Sequence, residues 1–162
     1  MPEHDPVGVD AVDTRLLLAL NDDPRATTVA LAERVGLSRN TVQARLARLE
    51  QGGALAPFER RIEPRALGYP LTAFVTVQVT QRLLAEVAAD LAAIPEVLQV
   101  FGLSGPVDLL VQVVARDADD LYRIAGRILD GPGVERTTTS LVMRELVGHR
   151  LTPLLERGAP GG

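Results

Sequence analysis

The stretch LAERVGLSRNTVQARLARLE, residues 31 to 50, holds two helical patterns of apolar residues separated by only three residues. Gly36 is expected to end the first helix tightly, and Ser38 offers a hydroxyl that can cap the second. So short a turn between two helices is typical of a helix-turn-helix, whose second helix lies in the major groove of DNA. A helical hairpin that serves only for packing is the alternative.

Three helices are predicted in this amino-terminal region. Asp10 can cap the first helix with Asp13 in its first turn, and the second helix is expected to begin near Thr27 or Thr28. The predicted apolar stripes are formed by Val12, Leu16, Leu17 and Leu20 in the first helix, Leu31, Ala32 and Val35 in the second, and Val42, Leu46 and Leu49 in the third.

Positive charge is concentrated in the same region. The chain carries a net charge of -4 and all 17 of its basic residues are arginine. Between residues 34 and 61 there are six arginines against two glutamates, which is a local surplus of +4. Arginine suits phosphate and guanine contacts, although a compositional bias of the genome would give the same excess.

The residues predicted to contact DNA lie mainly on the third helix. Arg39, Asn40 and Gln43 occupy its first turns, where arginine suits guanine and asparagine or glutamine suits adenine. Arg45 and Arg48 lie further along and are expected to meet phosphate or to pair with Glu50. The complete predicted set is Thr28, Ser38, Arg39, Asn40, Gln43, Arg45 and Arg48. Arg60 and Arg61 are either further phosphate contacts or a solvated charge pair.

The second half of the chain has a different periodicity. Residues 71 to 80 alternate between apolar and polar, which predicts a half-buried strand. The remaining patterns give the order β-α-β-β-α-β, with a last strand over residues 134 to 146. The predicted fold class is therefore α+β. A winged or plain helix-turn-helix is predicted over residues 1–62. A brief strand in FERRIE is followed by a linker over 63–70, and a ferredoxin-like antiparallel sheet is predicted over 71–162.

One face of this sheet is expected to be covered by its two helices and the other by a second subunit. The second face carries Phe74, Leu110 and Val114 beside threonines and glutamines. An apolar patch of several hundred Å² is uncommon on a monomer. The sequence therefore predicts a homo-oligomer.

The composition limits the classes of protein and site. The chain has no cysteine, and no apolar run approaches the roughly 18 residues that span a membrane, so a soluble cytoplasmic protein is expected. Its two histidines, His4 and His149, lie near the termini and form no pair with a nucleophile. We therefore expect no catalytic residues, no metal site and no cofactor.

Five stretches resemble the Lrp/AsnC family of transcription regulators: VDTRLLLAL, LAERVGLSRNTVQARLARLEQGG, IEPRALGYP, FGLSGPVDLLVQV and GPGVERTTTSLVMREL. The combination of a helix-turn-helix with IEPRALG and the GxxD turn in SGPVDLL is far more specific than the helix-turn-helix alone. The resemblance implies a dimer, often assembled into a tetramer, octamer or larger ring, that binds double-stranded DNA. It also implies a carboxyl-terminal domain that binds an amino acid between subunits in many members.

Gly105 and Asp108 match the GxxD turn where the family commonly holds its effector. Backbone amides of this turn can hold a carboxylate, and Asp108 can pair with an ammonium group. The predicted effector site comprises Leu103, Ser104, Gly105, Asp108, Thr137 and Thr139. In the alternative interpretation the glycine only makes a hairpin turn and Asp108 caps a strand.

Two other functions are compatible with the sequence. Siroheme decarboxylases look like the same two-domain architecture, and the sheet domain here would offer them Arg116, Arg123, Arg127, Arg136 and Arg144. The other possibility is an amino-acid sensor or assembly module that does not bind DNA.

Overall fold

The computed structural model describes residues 8–56 and 62–158. Contacts divide the chain into two compact units, one formed by Met1–Arg60 with Val147–Gly162 and the other by Arg61–Leu146. Val147–Gly162 thus belongs with the helical unit, although the sequence predicts a sheet domain that extends over 71–162.

The helical unit begins with the three predicted helices. They are α1 (Ala11–Asp22), α2 (Thr28–Val35) and α3 (Arg39–Gln51). Thr27 caps α2 by accepting a hydrogen bond from the backbone N–H of Ala30 at 3.2 Å. Gly36 ends α2 in the left-handed conformation with φ 70°, as its place in the sequence predicts.

The core of this unit lies between the three helices. Leu16, Leu31, Ala32 and Val42 are buried together, and Leu49 is buried further along α3. These positions agree with the predicted stripes, so each helix contributes one apolar face.

A fourth helix of this unit was not predicted. The helix α6 (Thr152–Gly158) packs on α1, although more than a hundred residues separate them in the chain. The side-chain amide of Asn21 donates to the Thr152 hydroxyl at 3.0 Å. A seven-residue helix has little stability by itself, so tertiary contacts must supply it.

The linker contains a short 3-10 helix, Pro64–Leu67, that ends at Gly68. The strand predicted in FERRIE, residues 58 to 63, falls mainly on residues 58 to 61. These four residues, which include Arg60 and Arg61, lie outside the described residues.

The second unit is the predicted antiparallel sheet with two helices. Its elements are β1 (Leu71–Val79), α4 (Leu84–Ala92), β2 (Val97–Gly102), β3 (Leu109–Ala115), α5 (Ala118–Leu129) and β4 (Val134–Leu141). A 3-10 turn, Gln81–Leu83, leads into α4. The strand order β2-β3-β1-β4 is the ferredoxin-like order, so this predicted fold is confirmed.

The last strand is five residues shorter than predicted. β1 starts at Leu71, and its register pairs Ala73 with Leu141. Val142 still donates to the Thr72 carbonyl at 2.9 Å, but residues beyond it have almost no strand left to pair with. The start of β1 thus determines where β4 ends, and the periodicity of the sequence could not predict that end.

The two faces of the sheet differ in composition. Val75, Val77, Val111 and Val113 are completely buried with Ile124 of α5 in the main core. On the other face Phe74 is half-buried and Phe101 is 40% exposed. This face is the one predicted to meet a second subunit.

Two glycines with positive φ give contrasting predictions. Gly133 has φ 85°, and a Cβ there would lie 2.9 Å from Leu83 Cβ, whereas a Cβ at Gly36 meets nothing within 4 Å. We expect Gly133→Ala to lower the free energy of unfolding by about 2–4 kcal/mol and Gly36→Ala by about 1–2 kcal/mol. Gly126→Ala in α5 is the control and should stabilise by about 0.5–1 kcal/mol. Urea unfolding followed by circular dichroism measures all three, and an equal cost at Gly36 and Gly133 would exclude the Leu83 contact.

Candidate DNA-binding and effector sites

The first turns of α3 present an exposed polar surface. Arg39, Asn40 and Gln43 are exposed and share one side of the helix, since they lie three and four residues apart. Val42 and Leu49, on the other side, are completely buried. The packing of α3 therefore directs these three predicted DNA contacts to solvent.

Ser38 and Thr28 occupy helix starts. The Ser38 hydroxyl accepts from the Thr41 backbone N–H at 3.1 Å and lies 2.8 Å from the Thr41 hydroxyl. Ser38 is therefore the predicted cap of α3, and its hydroxyl is partly engaged by the protein itself. Thr28 is half-buried and is the first residue of α2.

Arg45 and Arg48 anchor α3 to α1. Arg45 donates at 2.7 Å to both Asp10 and Asp13, and Arg48 pairs with the other oxygen of Asp13. The Asp13 side chain is completely buried. The expected pairing with Glu50 is therefore wrong, because the acids that hold these arginines are on α1. Phosphate contact by their exposed parts stays a prediction.

The same two acids close the start of α1. The Asp10 carboxylate accepts from the Asp13 backbone N–H at 2.7 Å, and Asp13 accepts in return from the Asp10 backbone N–H at 3.1 Å. Sequence reasoning found this cap but missed the partners on α3. The signal was available, since Asp13 lies on the apolar side of α1 beside Leu16, and a buried carboxylate needs a cation.

These contacts lower the pKa values of both acids. The hydrogen bond from Arg45, with that from the Asp13 backbone, lowers the pKa of Asp10 to about 2. Burial raises the pKa of Asp13, but the hydrogen bonds from Arg45, the Asp10 backbone and Arg48 outweigh it, so that its pKa lies below the ordinary value. Both groups are therefore carboxylates at neutral pH.

Most arginines between residues 34 and 48 bind acceptors within the protein itself. Arg34 donates to the Ala19 carbonyl at 3.2 Å, and Arg45 and Arg48 are ion-paired. Of the arginines from 34 to 48, Arg39 alone makes no hydrogen bond or ion pair with another described residue. It is the cation that the described part of α3 presents most freely to DNA.

The predicted effector turn joins β2 to β3. Leu103, Ser104 and Gly105 are exposed, and Asp108 is half-buried. One Asp108 oxygen accepts from the Val79 backbone N–H at 2.8 Å, and the other accepts from the Gln81 side-chain amide. Asp108 thus fixes the turn to the end of β1, which is the structural role held as the alternative. Its contact with an ammonium group stays a prediction.

Thr137 and Thr139 lie on β4, which β1 separates from β3. They pair with Val77 and Val75 of β1 and so share the face that the helices cover. Thr137 is half-buried and Thr139 is exposed. The register does not place their side chains on the same face as Phe74, and their part in an effector site stays a prediction.

A second acid–arginine network lies beside α5. Arg116 and Arg123 both donate to Asp120, and Arg123 also pairs with Glu96 at 2.6 Å. The hydrogen bonds from the Arg116 side chain and backbone, with that from Arg123, hold the pKa of Asp120 well below its usual range. Two of the five arginines that a tetrapyrrole site would use are therefore already paired.

The described residues hold neither a cluster of metal-binding side chains nor a helix that could span a membrane. In residues 8–56 and 62–158, no three side chains of histidine, cysteine, aspartate or glutamate are grouped to hold a metal ion. No helix in these ranges is both long and apolar enough to cross a membrane.

The fold and the exposed face of α3 define a helix-turn-helix protein with a separate ferredoxin-like domain. Comparison with known proteins gives the family. Residues 9–50 match the AsnC-type helix-turn-helix domain, and residues 72–152 match the Lrp/AsnC ligand binding domain. The chain belongs to the Lrp/AsnC family of transcription regulators.

Individual relatives agree over most of the chain. The HTH-type transcriptional regulator FL11 of Pyrococcus horikoshii is 31% identical over 85% of this chain and 91% of its own length. AldR of Mycolicibacterium smegmatis, also an HTH-type transcriptional regulator, is 35% identical over 86% of this chain and 84% of its own length. The structure of the feast or famine regulatory protein of M. tuberculosis, solved with L-methionine, matches with a TM-score of 0.80 and 31% identity. The match covers 89% of this chain and 98% of that chain. The predicted class of DNA-binding transcription regulator is confirmed.

Replacing the buried acid tests the anchor of α3. Asp13→Asn leaves Arg45 and Arg48 without their shared carboxylate. We expect a loss of about 3 kcal/mol in the free energy of unfolding, at the lower end for a broken buried pair because both guanidinium groups can reach water. Urea unfolding measures it. Asp22→Asn, exposed on the same helix, is the control, and equal costs for the two variants would remove Asp13 from this role.

The lowered pKa of Asp10 predicts a pH dependence. Because the folded-state pKa is below the ordinary 3.8, the carboxylate stabilises the fold above that pH, and the stabilisation is lost as the pH falls toward about 2. Asp10→Asn should therefore be less stable than the wild type at pH 7, with the difference vanishing near pH 2. Thermal unfolding at several pH values measures the difference, and a constant difference over this range would contradict the Arg45 contact.

Proposed function

We propose that α3 is the recognition helix of a sequence-specific regulator and that Arg39, Asn40 and Gln43 read base edges in the major groove. The observation that carries this proposal is their common exposure on the first turns of a helix whose other side is buried. Arginine can donate two hydrogen bonds to guanine, and asparagine or glutamine can make a paired contact with adenine.

The remaining predicted contacts would orient the protein on the DNA backbone. The side chain of Arg48 is 44% exposed and that of Arg45 is 27% exposed, so both can approach phosphate without leaving Asp13. Thr28 and Ser38 lie at helix starts, where backbone N–H groups favour anions. Such contacts set affinity and register, and the base sequence is read elsewhere.

The sheet domain would join two copies of the chain. Its outer face carries the half-buried Phe74 and Leu110 and the exposed Phe101, which a second copy could cover. A two-fold dimer would present two α3 helices to half-sites about 34–36 Å apart. The operator would then be a loose palindrome.

The β2–β3 turn is the proposed effector site, with an amino acid as ligand. Support comes from the match of residues 72–152 to the ligand binding domain and from the relative that was solved with L-methionine. The exposed turn from Leu103 to Gly105 could hold the carboxylate, and Asp108 has lone pairs left for the ammonium group. An effector that binds one assembly state better would shift the chain toward that state.

Base readout can be tested by replacing each of the three residues with alanine. We expect Arg39→Ala, Asn40→Ala and Gln43→Ala each to relax the preference at one base position, at a cost of about 1–3 kcal/mol. Selection from a randomised DNA library gives the preference, and fluorescence anisotropy gives the affinity. The control is Arg15→Ala, which removes an exposed cation from α1. Unchanged preference in all three variants would exclude α3 as the reader.

The effector contact can be tested with L-methionine as the probe. Asp108→Asn keeps an acceptor for the Val79 N–H but removes the charge, so we expect at least about a tenfold loss in affinity, as for one charge-assisted contact. Titration calorimetry measures binding, and Asp119→Asn, an exposed acid on α5, is the control. Wild-type affinity in Asp108→Asn would show that this carboxylate does not hold the ammonium group.

A further inference from the structure

The helical unit contains a cavity of about 450 Å³ that DNA recognition does not use. It lies among α1, α3 and α6 and is also lined by residues 54 to 56. Its volume falls within the range of small-molecule sites. It belongs to the unit that carries Arg39, whereas the β2–β3 turn belongs to the other unit.

The wall of this cavity is mainly leucine. Leu17 and Leu20 come from α1, and Leu46 comes from α3. Leu151 and Leu155 come from the carboxyl-terminal segment and α6. Leu151 and Leu155 can line the cavity only when the carboxyl-terminal segment is packed on α1, which is more than a hundred residues away in the sequence. An apolar ligand in this cleft would gain dispersion contacts with the leucine side chains and remove their surface from water.

The polar groups of the wall are Asn21, Thr28 and Glu50. The Asn21 amide donates one hydrogen to Thr152, and its Oδ1 accepts no hydrogen bond from another described residue. Glu50 is the one charged side chain among the described lining residues, and no cation in the described ranges lies within 4.0 Å of its carboxylate. The wall thus offers hydrogen-bond acceptors and negative charge, and it lacks a cationic donor.

We propose that this cavity binds a small primary amine with an apolar body, and that its ammonium group pairs with Glu50. Charge complementarity selects an ammonium over a neutral or anionic group, and the leucines select an apolar chain over a sugar or a nucleotide. Leu46 and Glu50 lie one turn apart on α3. The ligand therefore contacts the helix proposed to read DNA, at the end opposite to Arg39.

The first experiment titrates the full chain by calorimetry with n-heptylamine, 1-heptanol and heptanoate at neutral pH, without DNA. We expect saturable binding in the order amine, alcohol, carboxylate, with the amine about fivefold to tenfold tighter than the alcohol. Absence of saturable amine binding, or an amine no tighter than heptanoate, would overturn the proposal.

Two variants locate the binding. Glu50→Gln should remove the advantage of the amine over the alcohol while leaving alcohol binding intact. Leu155→Trp should fill the cavity and abolish binding of both. Glu33→Gln, an exposed acid on α2 outside the cavity, is the matched control and should leave all affinities unchanged. Wild-type amine binding in both Glu50→Gln and Leu155→Trp would place the ligand elsewhere.

A second experiment separates this site from DNA recognition. Amine binding does not require base readout, so Arg39→Ala should bind n-heptylamine as the wild type does. With the wild type, saturating amine should change the affinity for a selected DNA site at least about twofold, and Glu50→Gln should lose that response. A chain that binds the amine without any change in DNA affinity would retain the site and overturn its link to α3.

Discussion

The position of α3 depends on one buried carboxylate. Asp13 lies completely inside the helical unit, where an unpaired charge would be too costly, so it requires the guanidinium groups of Arg45 and Arg48. Both arginines are on α3. Asp10 is the cap of α1, and Asp13 lies in its first turn. Because both arginines bind acids at the same end of α1, these ion pairs favour one register of α3 on α1.

This constraint also changes the interpretation of the charge in the region. Counted along the sequence, the segment from 34 to 61 is a basic patch. In the fold, acids from α1 neutralise Arg45 and Arg48, while Arg34 binds a carbonyl. The positively charged surface that α3 can offer to DNA is therefore narrower than the charge count suggests. Discrimination among bases should consequently depend on a few side chains at the start of α3.

Much of the fold could be predicted because local patterns agree with the tertiary structure. The alternation in β1, the glycine at 36 and the cap at Ser38 each have a local cause that periodicity or turn chemistry detects. Predictions failed where the cause was distant. The partner of Arg48 is on another helix, the end of β4 depends on the start of β1, and α6 depends on contacts with α1. The side chains of Thr137 and Thr139 likewise required the strand register.

The ion pairs and the cavity of the helical unit contact different side chains of α3. Asp13 holds Arg45 and Arg48 on the side that packs against the cap of α1, and the cavity beside α6 is lined by Leu46 and Glu50. A ligand changes DNA affinity only if it binds the DNA-competent arrangement with a different affinity from the alternative arrangement. Packing at Leu46 is a direct way to create that difference, because a shift of α3 there must also be accommodated by the ion pairs. Because the ion pairs anchor α3, a ligand in the cavity would be expected to move the helix as a rigid unit. DNA affinity would rise if the ligand binds the DNA-competent arrangement more tightly, and it would fall if the ligand binds the alternative arrangement more tightly.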